Sequence, residues 1–180
     1  SRARAMLLQR KPLPSFQMCK TLLERGDRLS VVDPNLTELC ARVRAGGAWI
    51  REAKRMLALG GGGGGGIAAG IGPGAGVPAP TPQPRTPQRL QALIREGARL
   101  RLRLPELAAL RALRTRSAEW VSRVNAALLP GQPVPAEGVT RDQLHALLRE
   151  YDHRIGVAHE DAARLRRAVA RTDWLRTAEE

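Results

Sequence analysis

One pattern of apolar, glycine and proline positions occurs three times in the sequence, and each copy ends in one of the three tryptophans. The first repeat spans residues 15–49 and the second 86–120, and the two align without a gap at a constant offset of 71 residues. The third repeat, 140–174, is offset from the second by 54 residues and has diverged most. In every copy the tryptophan comes 34 residues after a serine or threonine. Repeats of this kind are typical of helical units that bury their apolar faces on one another.

Each repeat is predicted to be a pair of α-helices joined by a short turn. Ser15, Thr86 and Thr140 stand where a side-chain oxygen would cap the first helix of its repeat. Pro34 and Pro105 are predicted to begin the second helix of the first two repeats, because the first turn of a helix does not use the N–H that proline lacks. The apolar residues between these points recur on one helical face, as in helices that pack together.

The tryptophans and the recurring leucines are predicted to form the core. Gly26 and Gly97 lie on the apolar face of the first helix, where they are predicted to let a neighbouring helix approach closely. The third repeat has Tyr151 at the glycine place and His159 at the proline place. The predicted core residues are Leu22, Leu29, Leu36, Leu39, Trp49, Leu93, Leu100, Leu107, Leu110, Trp120, Leu147 and Trp174.

The chain is therefore predicted to be all-α, an elongated bundle of repeated helix-turn-helix units with about six helices, interrupted by a disordered linker rich in glycine and proline. Seven consecutive glycines open that linker, and no Lys-Ser/Thr follows them, so they do not form a phosphate-binding loop. The predicted segments are the tail of a preceding helix or linker at 1–13, the first helical repeat at 14–59, the linker at 60–85, the second repeat at 86–129, a loop at 130–139 and the divergent third repeat at 140–180.

The chain is strongly basic, with a net charge of +13 carried almost entirely by arginine. Such a balance fits a polyanion, an acidic protein surface or simple solubility, and the composition leaves these open. Arg95, Arg99 and Arg103 are spaced four apart, which predicts one helix flank able to contact the nucleosome or DNA. No apolar run is long enough to span a membrane, so no membrane partner is predicted.

Few residues suit catalysis or metal binding. Cys19 and Cys40 match neither a disulfide framework nor a zinc spacing, which predicts an intracellular reducing compartment. His159-Glu160-Asp161 contains the His-x-Asp half of an iron(II) triad, but no later histidine completes it. Acidic residues in the first turn of a helix are a simpler interpretation. No catalytic, cofactor-binding or metal-binding residue is predicted in this chain, which is not expected to be an enzyme itself.

The repeat resembles the PLU-type helical region of the jumonji/ARID histone lysine demethylases. The resemblance rests on the N-cap, Leu-x3-Gly-x2-Leu, Pro-x-Leu-x2-Leu and the late tryptophan, seen together in "LLERGDRLSVVDPNLTELCARVRAGGAWIREAKRML" at residues 22–57. It covers residues 14–59 and 86–128 well and residues from 140 onward more loosely. The glycine linker and the divergent third repeat depart from the usual pattern.

The resemblance implies a role and a cellular setting. In that family the region is a helical spacer between the catalytic and zinc-binding part and a later histone-reading finger. The resemblance therefore implies a nuclear location, neighbouring domains of the parent chain as partners, and a parent demethylase that acts on lysine-4 of histone three. It places iron(II) and 2-oxoglutarate in the jumonji domain and not in this segment. The start at Ser1 rather than methionine predicts a segment of a longer protein.

Three functional hypotheses follow. The first is a non-catalytic scaffold or spacer that positions the flanking catalytic and histone-reader modules of a demethylase-like chromatin protein. The second is a general protein-interaction bundle of the spectrin-like type. The third is a basic helical module that binds nucleic acid, whose binding would weaken steeply with salt.

Overall fold

The fold consists of α-helices. A computed structural model of the chain describes residues 4, 5, 8, 13–28, 34–58 and 85–179. Within these ranges there are six α-helices and no β-strand, which confirms the predicted all-α class. The predicted linker lies outside the described residues except for Arg85, as do most of the predicted tail at 1–13 and Leu29. The helices are α1 (Phe16–Arg28), α2 (Pro34–Ala58), α3 (Pro87–Arg99), α4 (Pro105–Ala127), α5 (Arg141–Glu150) and α6 (Glu160–Glu179).

The helices begin where the sequence places start signals. The hydroxyl of Ser15 accepts a hydrogen bond from the Met18 amide at 3.1 Å, so Ser15 caps α1 as predicted. Thr140 caps α5 in a reciprocal box with Gln143, each side chain accepting from the other residue's backbone amide. Prolines supply the first residues of α2, α3 and α4.

Alpha-carbon contacts divide the chain into two units. Among the described residues, the first unit comprises those up to Ala58 together with Gln88–Thr115, and the second comprises residues 85–87 and 116–179. The division falls within α4, which contributes residues to both units.

The core of the first unit is built from α1 to α4 and the turn after α3. That turn places Arg101 at a φ of 52°, a conformation that residues with a side chain seldom adopt. The Arg103 amide then donates to the Pro14 carbonyl at 2.9 Å, and Leu102 and Leu104 are buried on either side of it. Buried residues of this unit include Cys19, Leu39, Val43, Trp49, Ala53, Met56, Leu90, Leu93, Ile94, Leu110 and Leu113.

A small residue in α2 lets the first unit pack closely. A Cβ placed on Gly46 would lie 3.1 Å from a Leu102 methyl carbon and 3.2 Å from the Phe16 ring. The absence of a side chain at Gly46 therefore makes room for Phe16 at the start of α1 and Leu102 after α3.

The core of the second unit is built from α4 to α6. After α5 the chain makes one π-helical turn, Tyr151–Ile155, in which the Gly156 amide donates to the Tyr151 carbonyl five residues earlier at 2.9 Å. Gly156 ends the turn in the left-handed conformation at a φ of 57°. Buried residues of this unit include Trp120, Val124, Leu128, Leu144, Tyr151, Ile155, Val157, Leu165 and Ala168.

Candidate functional site: the tryptophan contacts between repeats

Trp49, the tryptophan of the first repeat, packs on the first helix of the second repeat. Its indole Nε1–H donates to the Leu93 carbonyl at 2.8 Å, and the side chain is buried. A helix carbonyl has a second lone pair, so Leu93 can accept this bond in addition to its own helical one. A Cβ built on Gly97 would lie 2.5 Å from Cζ2 and 2.8 Å from Cε2 of the ring. The indole therefore packs directly on Gly97, which we call the seat of the ring, and a larger residue at this position would push the ring away.

Trp120, the tryptophan of the second repeat, packs in the same way on the third. Its Nε1–H donates to the Leu147 carbonyl at 2.9 Å, and its side chain is 0% exposed. The Tyr151 ring lies against it, with centroids 4.8 Å apart and planes tilted by 37°. Tyr151 is held in turn by a hydrogen bond from its hydroxyl to the Val157 carbonyl at 3.0 Å.

The two contacts use equivalent positions. Leu93 and Leu147 align between the repeats, and Gly97 and Tyr151 both stand four residues later at the glycine place. Each tryptophan therefore donates to the same carbonyl of the following repeat and rests on the same position one turn further on. We refer to this arrangement as the inter-repeat tryptophan contact.

An ion pair accompanies each contact. The residue three after the tryptophan pairs with the receiving helix in both cases, Glu52 with Arg89 at 3.5 Å and Arg123 with Glu150 at 2.6 Å. The signs are opposite in the two pairs. The hydrogen bond to Glu150 raises the pKa of Arg123. Because all four side chains are partly exposed, each pair contributes only about 0–1 kcal/mol, and its main effect is on which helices match.

The third tryptophan does not follow the other two. Trp174 is 67% exposed, so the prediction that it is a core residue is wrong. The sequence pattern of one repeat does not reveal this exposure. Trp49 and Trp120 are each buried by the first helix of the following repeat and not by a helix of their own repeat. Its neighbour Asp173 pairs instead with Arg141 and with His145, within α5 of the same repeat, and the Arg141 hydrogen bond is the main cause that lowers the pKa of Asp173.

The structure places the other predicted core residues at two depths. Five are buried: Leu39, Trp49, Leu93, Leu110 and Trp120. The others that the structure describes are half-buried: Leu22, Leu36, Leu100, Leu107 and Leu147.

Sequence reasoning missed the role of Tyr151. The sequence pattern shows Tyr151 only as a departure from the glycine place, whereas in the structure its ring packs against Trp120. The sequence did contain a signal, since Tyr151 is the only tyrosine in the chain and stands in the place that receives a tryptophan in the preceding pair. Cys19 is buried and its burial raises the pKa of the thiol, while Cys40 is half-buried; both are free cysteines.

An open groove of about 520 Å³ lies beside Trp49 in the first unit. Its floor is apolar, and its rim carries Glu52, Glu96, Arg89 and Arg99. Arg89 contacts both carboxylates, at 3.5 Å to Glu52 and 4.0 Å to Glu96. The two glutamates and two arginines that line the groove carry no net charge together.

The predicted arginine flank is only partly formed. Arg95 and Arg99 are exposed on α3 as expected. The helix ends at Arg99, however, and the left-handed Arg101 turns the chain before Arg103. The prediction that all three arginines lie on one helix flank is therefore wrong, because Arg103 belongs to the turn and not to the helix.

Two of the three histidines contact other side chains, His145 through Asp173 and His159 within the core of the second unit, whereas His153 is exposed. His159 Nε2 lies 2.9 Å from the Ser117 hydroxyl, and its ring centroid is 6.4 Å from that of Trp120. Glu160 and Asp161 stand in the first turn of α6, where acidic side chains favour the helix dipole. Within the described parts of the chain, no group of three or more His, Cys, Asp or Glu side chains is placed to hold a metal ion.

The comparisons with known proteins agree with the repeat pattern. A model of the family described as PLU-1-like protein matches residues 1–180. The chain belongs to the PLU-1-like protein family. The resemblance drawn from the repeats is thereby confirmed. No curated protein and no solved structure matches the chain. Among the described residues of this PLU-1-like chain, none of the helices has the length and apolar character needed to cross a membrane.

The seat of Trp49 can be tested by adding one methyl group. Gly97→Ala is expected to destabilise the first unit by about 1–3 kcal/mol, because the new Cβ would overlap a buried indole that is fixed by its hydrogen bond. The matched control is Gly47→Ala in α2, where the nearest atom is 3.8 Å away. The control is expected to stabilise the protein by about 0.5–1 kcal/mol through helix propensity. Urea denaturation measures both, and equal stability of the two variants would contradict the proposed seat.

The difference between the tryptophans can be tested by truncating each in turn. Trp120→Ala is expected to cost about 3–5 kcal/mol, because it leaves a large cavity in the core. Trp174→Ala removes the same side chain from the surface and is expected to change the free energy of unfolding by no more than about 0.5 kcal/mol. Guanidinium denaturation followed by far-ultraviolet circular dichroism gives both values. A loss of less than about 1 kcal/mol for Trp120→Ala would contradict its role as a core anchor.

Proposed function

We propose that this PLU-1-like chain is a non-catalytic helical scaffold within a histone-demethylase-like chromatin protein. Its task is to hold the flanking catalytic and histone-reader modules in a fixed order and separation. The proposal is supported by the family match and by the resemblance to the helical region of the jumonji/ARID demethylases. By that resemblance the parent chain acts in the nucleus, and its iron(II) and 2-oxoglutarate bind in a jumonji domain outside this segment.

The observation that carries the proposal is the repeated inter-repeat tryptophan contact. A buried indole held by one directed hydrogen bond fixes the rotation of a helix about its axis as well as its distance from the next helix. A neighbouring ion pair adds a second point of attachment in both contacts. Helices fixed in this way keep a constant separation and orientation within each contact. A spacer requires such constancy, and a flexible tether cannot provide it.

The scaffold role is tested in the parent enzyme with a substitution that disturbs one contact without removing a helix. Gly97→Leu places a larger side chain where the Trp49 ring sits. We expect demethylation of nucleosomes to fall several-fold, because that substrate must meet both flanking modules at once. Demethylation of a short histone peptide should stay unchanged, since a peptide needs only the catalytic domain.

The control for this experiment is Gly47→Ala in the same parent enzyme, which is expected to leave both activities unchanged. Circular dichroism confirms that the helical content of the two variants is the same. Equal loss on nucleosomes and peptides would rule out the spacer role. Unchanged activity on both substrates, with a disturbed contact, would favour a general interaction bundle of the spectrin-like type.

A second function, binding to the DNA of the nucleosome, is favoured by the arginines around the end of α3. Arg95, Arg99, Arg101 and Arg103 are all exposed, and none forms an ion pair with any part of the chain that the structure describes. Four positive side chains within nine residues can contact phosphates even though they do not share one helix face.

DNA binding is tested with a short duplex at several salt concentrations. Affinity should fall steeply with salt and should not depend on sequence, because phosphate contacts carry no sequence information. Arg95→Ala and Arg99→Ala are each expected to lower the slope of log affinity against log salt by about 1. The matched control is Arg141→Ala, whose guanidinium is already held by Asp173. The absence of measurable binding at low salt would exclude this function.

A further inference from the structure

The end of α6 carries an apolar surface that the described residues do not cover. Trp174 is 67% exposed and the adjacent Leu175 is 45% exposed. Ala178, one turn further on, is exposed as well. We refer to these three residues as the α6 surface.

In the other two repeats the places of Trp174 and Ala178 are buried, and the place of Leu175 is half-buried. Trp49 and Trp120 lie against the first helix of the following repeat, and the residues four positions later, Ala53 and Val124, are both fully buried. Trp174 and Ala178 occupy the same two places in the third repeat. The α6 surface therefore resembles the helix face that carries the tryptophan in an inter-repeat tryptophan contact. The described residues place no receiving helix against it.

We propose that the α6 surface is a docking site for an amphipathic helix of the same type as α3 and α5. Three features define that type of helix in this protein. A backbone carbonyl accepts the indole N–H, as those of Leu93 and Leu147 do. The residue four positions later is a glycine or a flat aromatic ring, as at Gly97 and Tyr151. The residue just before that one is glutamate in both helices.

The charges at the end of α6 suit the glutamate of such a helix. Arg171 stands one turn before Trp174 and is exposed. Asp173, which precedes Trp174, is already held by Arg141 and His145. Thr177 takes the place of Glu52 and Arg123 and donates to the Asp173 carbonyl at 3.0 Å, which adds no charge. Glu150 pairs with the residue three after Trp120, and Thr177 occupies that place here, so the glutamate of the docking helix is expected to meet the exposed Arg171 instead.

A second copy of this chain fits the surface poorly. The helix it could offer is α1, whose equivalent residues are Leu22 and Gly26. A Cβ on Gly26 would lie 3.2 Å from a methyl carbon of Leu36, so this glycine place is already filled from within its own repeat. Arg25 stands where the glutamate of α3 and α5 is found and would face Arg171. The net charge of +13 on each copy further opposes self-association.

The docking site is tested with a probe whose recognition of a tryptophan is already observed, a synthetic peptide of residues 86–104 that contains α3. The full chain, labelled with nitrogen-15, has three indole N–H signals because it has three tryptophans. Addition of the peptide is expected to shift the Trp174 indole signal and to leave those of Trp49 and Trp120 in place. If the helix covers the indole for nine-tenths of the time, its hydrogen exchange slows about 10-fold.

A short peptide is only marginally helical alone, so the same probe is also joined after Glu180 by a flexible Gly/Ser linker. The linker raises the effective concentration of the probe to the order of millimolar. The matched control is the same fusion with leucine at the glycine of the probe, which should leave Trp174 as exposed as in the unmodified chain. A third protein, the fusion with Trp174→Ala, should give a probe that remains unfolded by its amide signals.

Each other outcome overturns the proposal. An unprotected Trp174 indole in both the peptide mixture and the fusion would show that the surface does not bind such a helix. Equal protection by the leucine probe would show non-specific apolar contact. A Trp174 signal that moves with protein concentration alone would identify a second copy as the occupant. Movement of the Trp49 or Trp120 signal without Trp174 would show that the probe replaces a helix of the protein instead of docking on α6.

Discussion

A buried indole N–H must find an acceptor, and in this protein it finds one in the backbone of another repeat. Leaving such a donor unsatisfied costs about 1–3 kcal/mol, which is a large share of the stability of a small unit. Trp49 and Trp120 meet this requirement with the carbonyls of Leu93 and Leu147. Those carbonyls lie in the helices that begin the following repeats, so the folding of one repeat depends on the presence of the next. The packing of Gly97 and Tyr151 follows from the same bond, because each lies where the ring must go.

The charged residues beside the tryptophans set which helices can pair. Glu52 meets Arg89 in one contact, and Arg123 meets Glu150 in the other. At the place of Arg89, α5 carries Gln143, so Glu52 would lose its ion pair if Trp49 packed on α5, whereas Arg123 would find Glu96 on α3 at the place of Glu150. The tryptophan contact is the same in both places and cannot by itself tell one receiving helix from another. The ion pair between Glu52 and Arg89 supplies that distinction for Trp49 at little cost in stability, since both side chains remain partly in water.

Much of the fold could be predicted from single residues whose effect is local. Pro34, Pro87 and Pro105 begin helices because their missing N–H is not used there, and Ser15 and Thr140 cap helices through their own hydroxyls. What could not be predicted depends on distant residues. The exposure of Trp174 is set by a helix that its own repeat does not contain, and the position of Arg103 is set by the left-handed Arg101 before it. The π-helical turn that begins at Tyr151 coincides with the ring contact to Trp120, and nothing in the sequence pattern of α5 alone predicts it.

Because each tryptophan is completed only by the repeat that follows it, the array has a direction. A gene duplication that adds a copy after an existing one supplies a receiving helix, and the loss of a copy exposes the indole of the copy before it. The number of repeats can therefore change by whole units without redesign of the rest, provided that the new junction has a seat for the ring. Gly97 and Tyr151 occupy the same place in two repeats, and each contacts the tryptophan of the preceding repeat. Two residues as different as glycine and tyrosine can therefore serve at this place while the tryptophan contact is kept.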